Sequence, residues 1–243
     1  MQTIILAAGA SVINATDSSY PSIMTEFNGK PLIQEIIEDL LTLNQTKIVI
    51  VVRQEDINLF HIDRTLKLIE PRITVVAVQG NVGGAACSAL LGLQFLDKEE
   101  EVVIINGNEK LTEDYRSLMD QIYSQDSCAS IVTFDSIHPR YSYAKLDVYQ
   151  NVVEIREKDP ISRNALVGFF WFSTASIIED AIKMMILKDG SVNGFFYLSP
   201  AINELLLIDL KVSMVKIDSS KYHPMKSEWH FNEYAKYVDR GTV

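Results

Sequence analysis

The feature that most constrains this chain is its alternation of short Ile/Val-rich runs with helical stripes. Thr3 to Ala7, Lys47 to Val52, Ile73 to Val78 and Val102 to Ile105 are short runs rich in Ile and Val. Strands covered on both faces look like this, because neither side of the pleat meets water. Between them, Pro31 suits a first helical position, and Leu32, Ile33, Ile36, Ile37, Leu40 and Leu41 form one stripe. Further helices are expected from Ala85 to Leu96 and from Thr112 to about Tyr123. Strand and helix in turn build a parallel sheet through right-handed crossovers, so the first half predicts a doubly wound α/β sheet.

After Cys128 the rhythm changes. Ala129 to Phe134, Tyr143 to Val148, Val152 to Ile155 and Leu166 to Phe172 read as strands with few helices between them. Ser176 and Glu179 fit a capping box opening a helix through Ala181, Ile182 and Met185. A helix around Ala201 to Leu207, a strand from Lys211 to Ile217 and a helix near Glu228 to Val238 follow. No linker or repeat interrupts the chain, so residues 1–243 are expected to form a single α/β domain with a β-rich second half. The acidic stretch Lys98-Glu99-Glu100-Glu101 reads as a solvated helix-to-strand turn, and Phe169 to Phe172 as core or subunit contact.

Charge narrows the function. Asp and Glu number 32 against 22 Lys and Arg, a formal net charge of −10, which argues against nucleic acid and against an anionic membrane surface. No apolar run approaches the length of a membrane span, and the start lacks the basic region of a signal peptide; a cytoplasmic protein is expected. Cys87 and Cys128 have no metal-type spacing and read as reduced thiols. His61, His138, His223 and His230 likewise show no metal-ligand spacing, and no Gly-x-Ser-x-Gly elbow appears.

Open α/β sheets bind ligands beyond the carboxyl ends of their strands. Three segments fall there: Leu6-Ala7-Ala8-Gly9-Ala10-Ser11, Gln79-Gly80-Asn81-Val82-Gly83-Gly84-Ala85-Ala86, and Ile104-Ile105-Asn106-Gly107-Asn108-Glu109. Small residues let a ligand lie against the backbone, and a glycine-marked helix start is an anion site by geometry. By residue type alone, tight turns account for these segments as well as a ligand does.

In this order and spacing, the three segments resemble the sugar-phosphate nucleotidyltransferases, which carry L-A-A-G-x-G-x-R, then P-K, then a metal-binding Asp after a buried strand. The likeness is nearest to a capsule and lipopolysaccharide biosynthesis branch. Phe27-Asn28-Gly29-Lys30-Pro31-Leu32-Ile33, Gly84-Ala85-Ala86-Cys87, Ile131-Val132-Thr133-Phe134 and His138-Pro139-Arg140-Tyr141-Ser142-Tyr143-Ala144-Lys145-Leu146 carry it. So do Glu157-Lys158-Asp159-Pro160-Ile161-Ser162 and Asn193-Gly194-Phe195-Phe196-Tyr197, and it weakens after about Ile208. The resemblance implies a Rossmann-like fold and transfer of a nucleotidyl group from a nucleoside triphosphate to a phosphorylated acceptor, with pyrophosphate released and Mg²⁺ required if active. It assigns Leu6, Ala8 and Gly9 to a nucleotide cradle and Gln79 and Gly84 to base reading. Tyr143, Ala144, Asn193 and Gly194 would line the acceptor, with Glu157 and Lys158 as its catalytic contacts and Lys158 on its phosphate. A nucleotide or phosphorylated small molecule, a homo-oligomer and a pathway protein are the implied partners.

The departures from the pattern are concentrated. Ser11 replaces the second glycine, Ile13 the arginine, Ser22 the lysine after Pro21, and Asn108 the metal-binding aspartate. The terminal G-T-P appears as Lys226-Ser227-Glu228 without an aspartate before it, and Asn106-Gly107-Asn108 reads as a D-x-D motif with both acids amidated. Mg²⁺ prefers carboxylate oxygens, which Asn108 does not offer. Losing one transition-state stabiliser costs about 2.7–4 kcal/mol, and such losses are not additive. Glu109, Asp17 and Lys30 are the candidate compensators, although strand alternation aims Glu109 away from Asn108. Two readings follow: a member with weak or lost transfer that binds a ligand or pathway partner, and an active cytidylyltransferase-type enzyme using compensating residues.

Overall fold

The computed structural model describes residues 1–9, 20–80 and 82–241. The strands are β1 (Gln2–Ala7), β2 (Glu26–Phe27), β3 (Lys30–Pro31), β4 (Lys47–Arg53), β5 (Thr74–Val78), β6 (Val102–Asn106) and β7 (Glu109–Leu111). The second half adds β8 (Ala129–Asp135), β9 (Ser142–Leu146), β10 (Val152–Glu157), β11 (Asn164–Phe172), β12 (Val212–Lys216) and β13 (Tyr222–Pro224). The helices are α1 (Leu32–Leu41), α2 (Gln54–Phe60), α3 (Ile62–Ile69), α4 (Ala85–Leu93), α5 (Tyr115–Tyr123), α6 (Ala175–Leu187), α7 (Leu198–Leu206) and α8 (Glu228–Asp239).

One nine-stranded sheet runs β10-β9-β11-β6-β1-β4-β5, with β8 paired to β11 and β12 to β8. β6, β1, β4 and β5 are parallel, as the continuous Ile/Val runs predict, while β11 meets β6 antiparallel. The expected mostly parallel, doubly wound sheet with a β-rich second half is the fold observed. Alternate strand residues feed two cores: Ile5, Ile50 and Val103 pack with α1, α5 and α8. Ile4, Val51 and Ile104 pack with α4, α6 and α7 on the opposite face. From β1 the chain moves to β4 on one side and later to β6 on the other, so strand order reverses beside β1. In open α/β sheets ligands bind at such a reversal, here beyond the carboxyl ends of β1 and β6.

Several expectations shift. Pro31 stands at the cap of α1 with extended backbone (φ −60°, ψ 143°), paired with Glu26 in a small hairpin. α4 ends at Leu93, short of Leu96, and α5 begins at Tyr115, where Asp114 accepts from the Arg116 N–H, rather than at Thr112. The capping box at Ser176 does not form: Thr174 caps α6, and Glu179 instead pairs with Lys98 and Lys183. Phe169 to Phe172 are buried within the sheet and offer no apolar outer surface, which removes the reason to expect subunit contact there. Cys87 and Cys128 are unpaired and half-buried, and burial pushes both thiols up. Among the described residues, no helix is long and apolar enough to cross a membrane.

Candidate functional site

Because β1, β5 and β6 are parallel, Leu6, Gln79 and Asn106 reach the same edge of the sheet. Leu6 is buried at the end of β1, Ala8 is half-buried and Gly9 exposed. The Gly107 N–H donates to the Leu6 carbonyl at 2.8 Å, tying the two loops together. Gln79 is exposed just beyond β5. Ser11, Ile13 and Asp17, where the glycine and arginine positions and one compensator fall, lie outside the described residues, as does Asn81. Ser22 opens a single 3-10 turn ending at Met24, and Lys30 is an exposed cation held by Glu38 at 2.8 Å.

Gly84 connects this edge to the acceptor segment. It caps α4 at φ 127°, and a Cβ there would sit 2.3 Å from the Phe196 carbonyl oxygen. The Phe196 N–H donates to the Gly83 carbonyl at 2.7 Å, and the Ala86 N–H donates to the Phe196 carbonyl at 3.0 Å. An orphan donor of the α4 start is therefore satisfied by the chain itself. Just before Phe196, exposed Asn193 and Gly194 adopt positive φ in a turn closed between Val192 and Phe195.

Glu157 ends β10 opposite Ser142 at the start of β9. Its Oε2 accepts from the Ser142 hydroxyl and, at 2.8 Å, from that of Ser199 in α7. These hydroxyls hold the carboxylate in one orientation beside a cavity of about 530 Å³ whose walls include Ile155, Asp159, Val192 and Asn203. Lys158 takes a left-handed backbone (φ 57°), donates its N–H to the Tyr141 carbonyl and lays its ammonium 4.6 Å from the Tyr197 ring centroid. Its Nζ also donates to the Tyr197 hydroxyl at 2.5 Å. Tyr143 and Ala144, in β9, are fully buried, and the Tyr143 hydroxyl donates to the His138 carbonyl at 2.7 Å. Glu157, Lys158, Asn193 and Gly194 thus come together around α7 and its preceding loop.

The other strand end has a different chemistry. The Met225 N–H donates to the Asn108 carbonyl at 2.8 Å, fastening the segment after β13 to the loop after β6. This brings Lys226 to Glu109, whose Oε1 lies 2.7 Å from the Lys226 Nζ. The same carboxylate accepts from the Gly168 N–H at 2.6 Å and from Asn106 Nδ2 at 3.3 Å. Gly168 is required here, since a Cβ would fall 2.1 Å from Asn106 Nδ2. Burial opposes the charge on Lys226, yet Glu109, Tyr141 and Glu157 outweigh it and hold the ammonium's pKa above its ordinary value.

This donor set does not fit the Mg²⁺ that the resemblance implies. Asn108 supplies a neutral amide, and the buried Glu109 carboxylate is already engaged by an ammonium, a peptide N–H and an amide. Among the described residues, no three His, Cys, Asp or Glu side chains are grouped to hold a metal ion. A dication would also meet the positive charge of Lys226. Sequence reasoning missed this pair, as well as Ser142 and Ser199; only the Lys226 substitution in the terminal motif signalled it.

The fold has close structural relatives. A nucleoside-diphosphate-sugar pyrophosphorylase from Vibrio cholerae RC9 superposes with a TM-score of 0.79 at 18% identity, covering 96% of this chain and 99% of that one. A UDP-glucose pyrophosphorylase complexed with UDP-glucose superposes at 0.81 and 14% identity, covering 99% and 98%. HddC from Yersinia pseudotuberculosis gives 0.69 at 17% identity, covering 98% and 99%. Identities this low establish the shared fold alone. No curated protein sequence matches the chain. The sequence pattern described as "Nucleotidyl transferase" matches residues 2–202, and on that match the chain belongs to the nucleotidyl transferase family.

Proposed function

We propose that this family member binds a nucleotide or a phosphorylated small molecule in capsular or surface-polysaccharide biosynthesis, with nucleotidyl transfer weak or lost. The observation that carries the reading is the ion-paired Glu109 carboxylate: where the family pattern calls for a metal-binding acid, this chain supplies Asn108 and a Lys226–Glu109 ion pair. In-line transfer needs charge stabilisation on the triphosphate, which a metal ion and basic side chains normally supply. The acceptor side favours ligand binding. Glu157 is pre-oriented by two hydroxyls, Lys158 presents an exposed ammonium, and Asn193 and Gly194 shape the adjoining turn. Leu6, Ala8, Gly9, Gln79 and Gly84 would receive the nucleotide. The polysaccharide role rests on the motif resemblance, and a second copy or a pathway protein is part of the same proposal, as is a cytoplasmic setting.

A second reading is an active cytidylyltransferase-type enzyme, and Lys226 favours it by placing a resident cation near the acceptor carboxylate Glu157. Pyrophosphate release, measured over the four nucleoside triphosphates with several sugar and alcohol phosphates, separates the two. The proposal expects at most trace turnover with any pair. Sustained release with one nucleotide–acceptor pair establishes the enzyme.

A further inference from the structure

In this acidic chain many guanidinium groups lie against carboxylates: Arg53 on Asp56, Arg72 on Glu70, Arg156 on Glu154 and Arg163 on Asp135. Arg140 does otherwise. Its Nη1 donates to His230 Nε2 at 3.2 Å, and its Nε donates to His138 Nδ1 at 3.3 Å. A guanidinium only donates, so both ring nitrogens present lone pairs. His230 then turns its Nδ1 proton toward the Ser227 hydroxyl, 2.6 Å away. Burial, with Arg140 and Lys226 nearby, holds His230 below the ordinary histidine range, which agrees with a neutral ring. Arg140 thus meets two imidazoles where the other guanidiniums meet a carboxylate.

This corner faces a cavity of about 360 Å³ whose walls include Tyr141, Tyr222 and Trp229. Trp229 is 65% exposed at the rim, in the first turn of α8. Glu233, the carboxylate in the lining, is already paired with Lys236 at 2.8 Å. Tyr141, in the wall of this cavity, ties it to Lys158 and Lys226. Its ring centroid lies 5.9 Å from the Arg140 guanidinium and 5.7 Å from the Lys226 ammonium, and its carbonyl accepts from the Lys158 N–H.

We infer that Arg140, His138 and His230 form a subsite for a second anionic group, a carboxylate or a phosphate ester, on the phosphorylated small molecule whose first phosphate lies at Lys158. An anion entering the corner takes charge-assisted hydrogen bonds from a planar fork without displacing a carboxylate. Tyr141, Tyr222 and Trp229 supply apolar wall for the part of the ligand between its two charged ends. The acceptor's identity in this inference rests on the proposed function; anion binding in the corner does not.

The test titrates the full chain with inorganic phosphate and, separately, with malonate at constant ionic strength, without nucleotide. The imidazole resonances of His61, His138, His223 and His230 are followed by NMR. The inference expects saturable shifts at His138 and His230 with at least one anion, while His61 stays still. A stronger response to phosphate assigns a phosphate ester, and a stronger response to malonate assigns a carboxylate. Arg140→Gln, at an exposed position, should weaken the binding by about tenfold or more, and Arg140→Lys should retain part of it. Non-saturating shifts with both anions overturn the inference, as does a saturable shift that Arg140→Gln leaves unchanged. Because no nucleotide is present, either result is independent of whether transfer occurs.

Discussion

The two sides of the crevice solve the problem of charge in opposite ways. Around Glu157 and Lys158, charged groups are positioned by hydroxyls and an aromatic ring, which orient them without neutralising them. Around Asn108, the nearby carboxylate and ammonium neutralise each other, and a peptide N–H and an amide complete the set. The first arrangement leaves charge for a ligand; the second consumes it. Electrostatic preorganisation is useful only where the field points at a ligand. A family fold can therefore keep one half of its site responsive while the other half becomes structural.

The largest expected effect comes from unbalancing the consumed half. Glu109→Ala leaves Lys226 and the Gly168 N–H without their acceptor and should cost about 3 kcal/mol of stability in urea unfolding. Adding Lys226→Met should restore much of that loss, and a double-mutant cycle measures the coupling. Strictly additive losses would mean that the pair is not the unit described. Next, Gly84→Ala strains a positive φ and drives a Cβ into the Phe196 backbone. It should cost roughly 2–3 kcal/mol and loosen the Asn193–Tyr197 segment, read as faster amide exchange at Phe196. Unchanged exchange would detach that segment from the start of α4.

A pH effect follows from His223, which sits in β13 opposite Lys110 of β7 and packs against Tyr234 and Tyr237. Burial, helped by Lys110 and Lys221, lowers its pKa to about 4. The unfolded chain then binds more protons than the folded one between the ordinary histidine value and that depressed value. Stability from this group is complete above about pH 6.5 and falls as pH drops toward the folded value. His223→Phe should flatten the stability slope in that window; an unchanged slope would assign it to carboxylates. The smallest stability effect is expected at the responsive half. Lys158→Met removes an exposed cation over Tyr197 and should cost under about 1 kcal/mol, while abolishing measurable binding of a sugar phosphate in calorimetry.

Much of this fold is legible in the sequence because a buried parallel strand has to be apolar on both faces. β1, β4, β5 and β6 appear within one residue or so of their Ile/Val runs. α2 and α3 are hidden for a local reason: His61 takes φ 52° between them, breaking one amphipathic stripe into two short helices. β7 and β13 have three residues each, too few to show alternation. Of the candidate site, Glu157, Lys158, Asn193 and Gly194 are legible through motifs that the fold brings together around one loop. The Glu109–Lys226 pair is not, because its partners lie far apart in sequence and meet through the pairing of β7 with β13 and the Met225–Asn108 backbone bond.

The central question is whether the Asn108 end of the site accepts a divalent ion with a triphosphate. Calorimetry of nucleoside triphosphate binding, performed in Mg²⁺ and again in EDTA, asks this directly. The account predicts that Mg²⁺ does not strengthen binding of any of the four nucleotides. Micromolar binding that appears with Mg²⁺ and disappears with EDTA would contradict it.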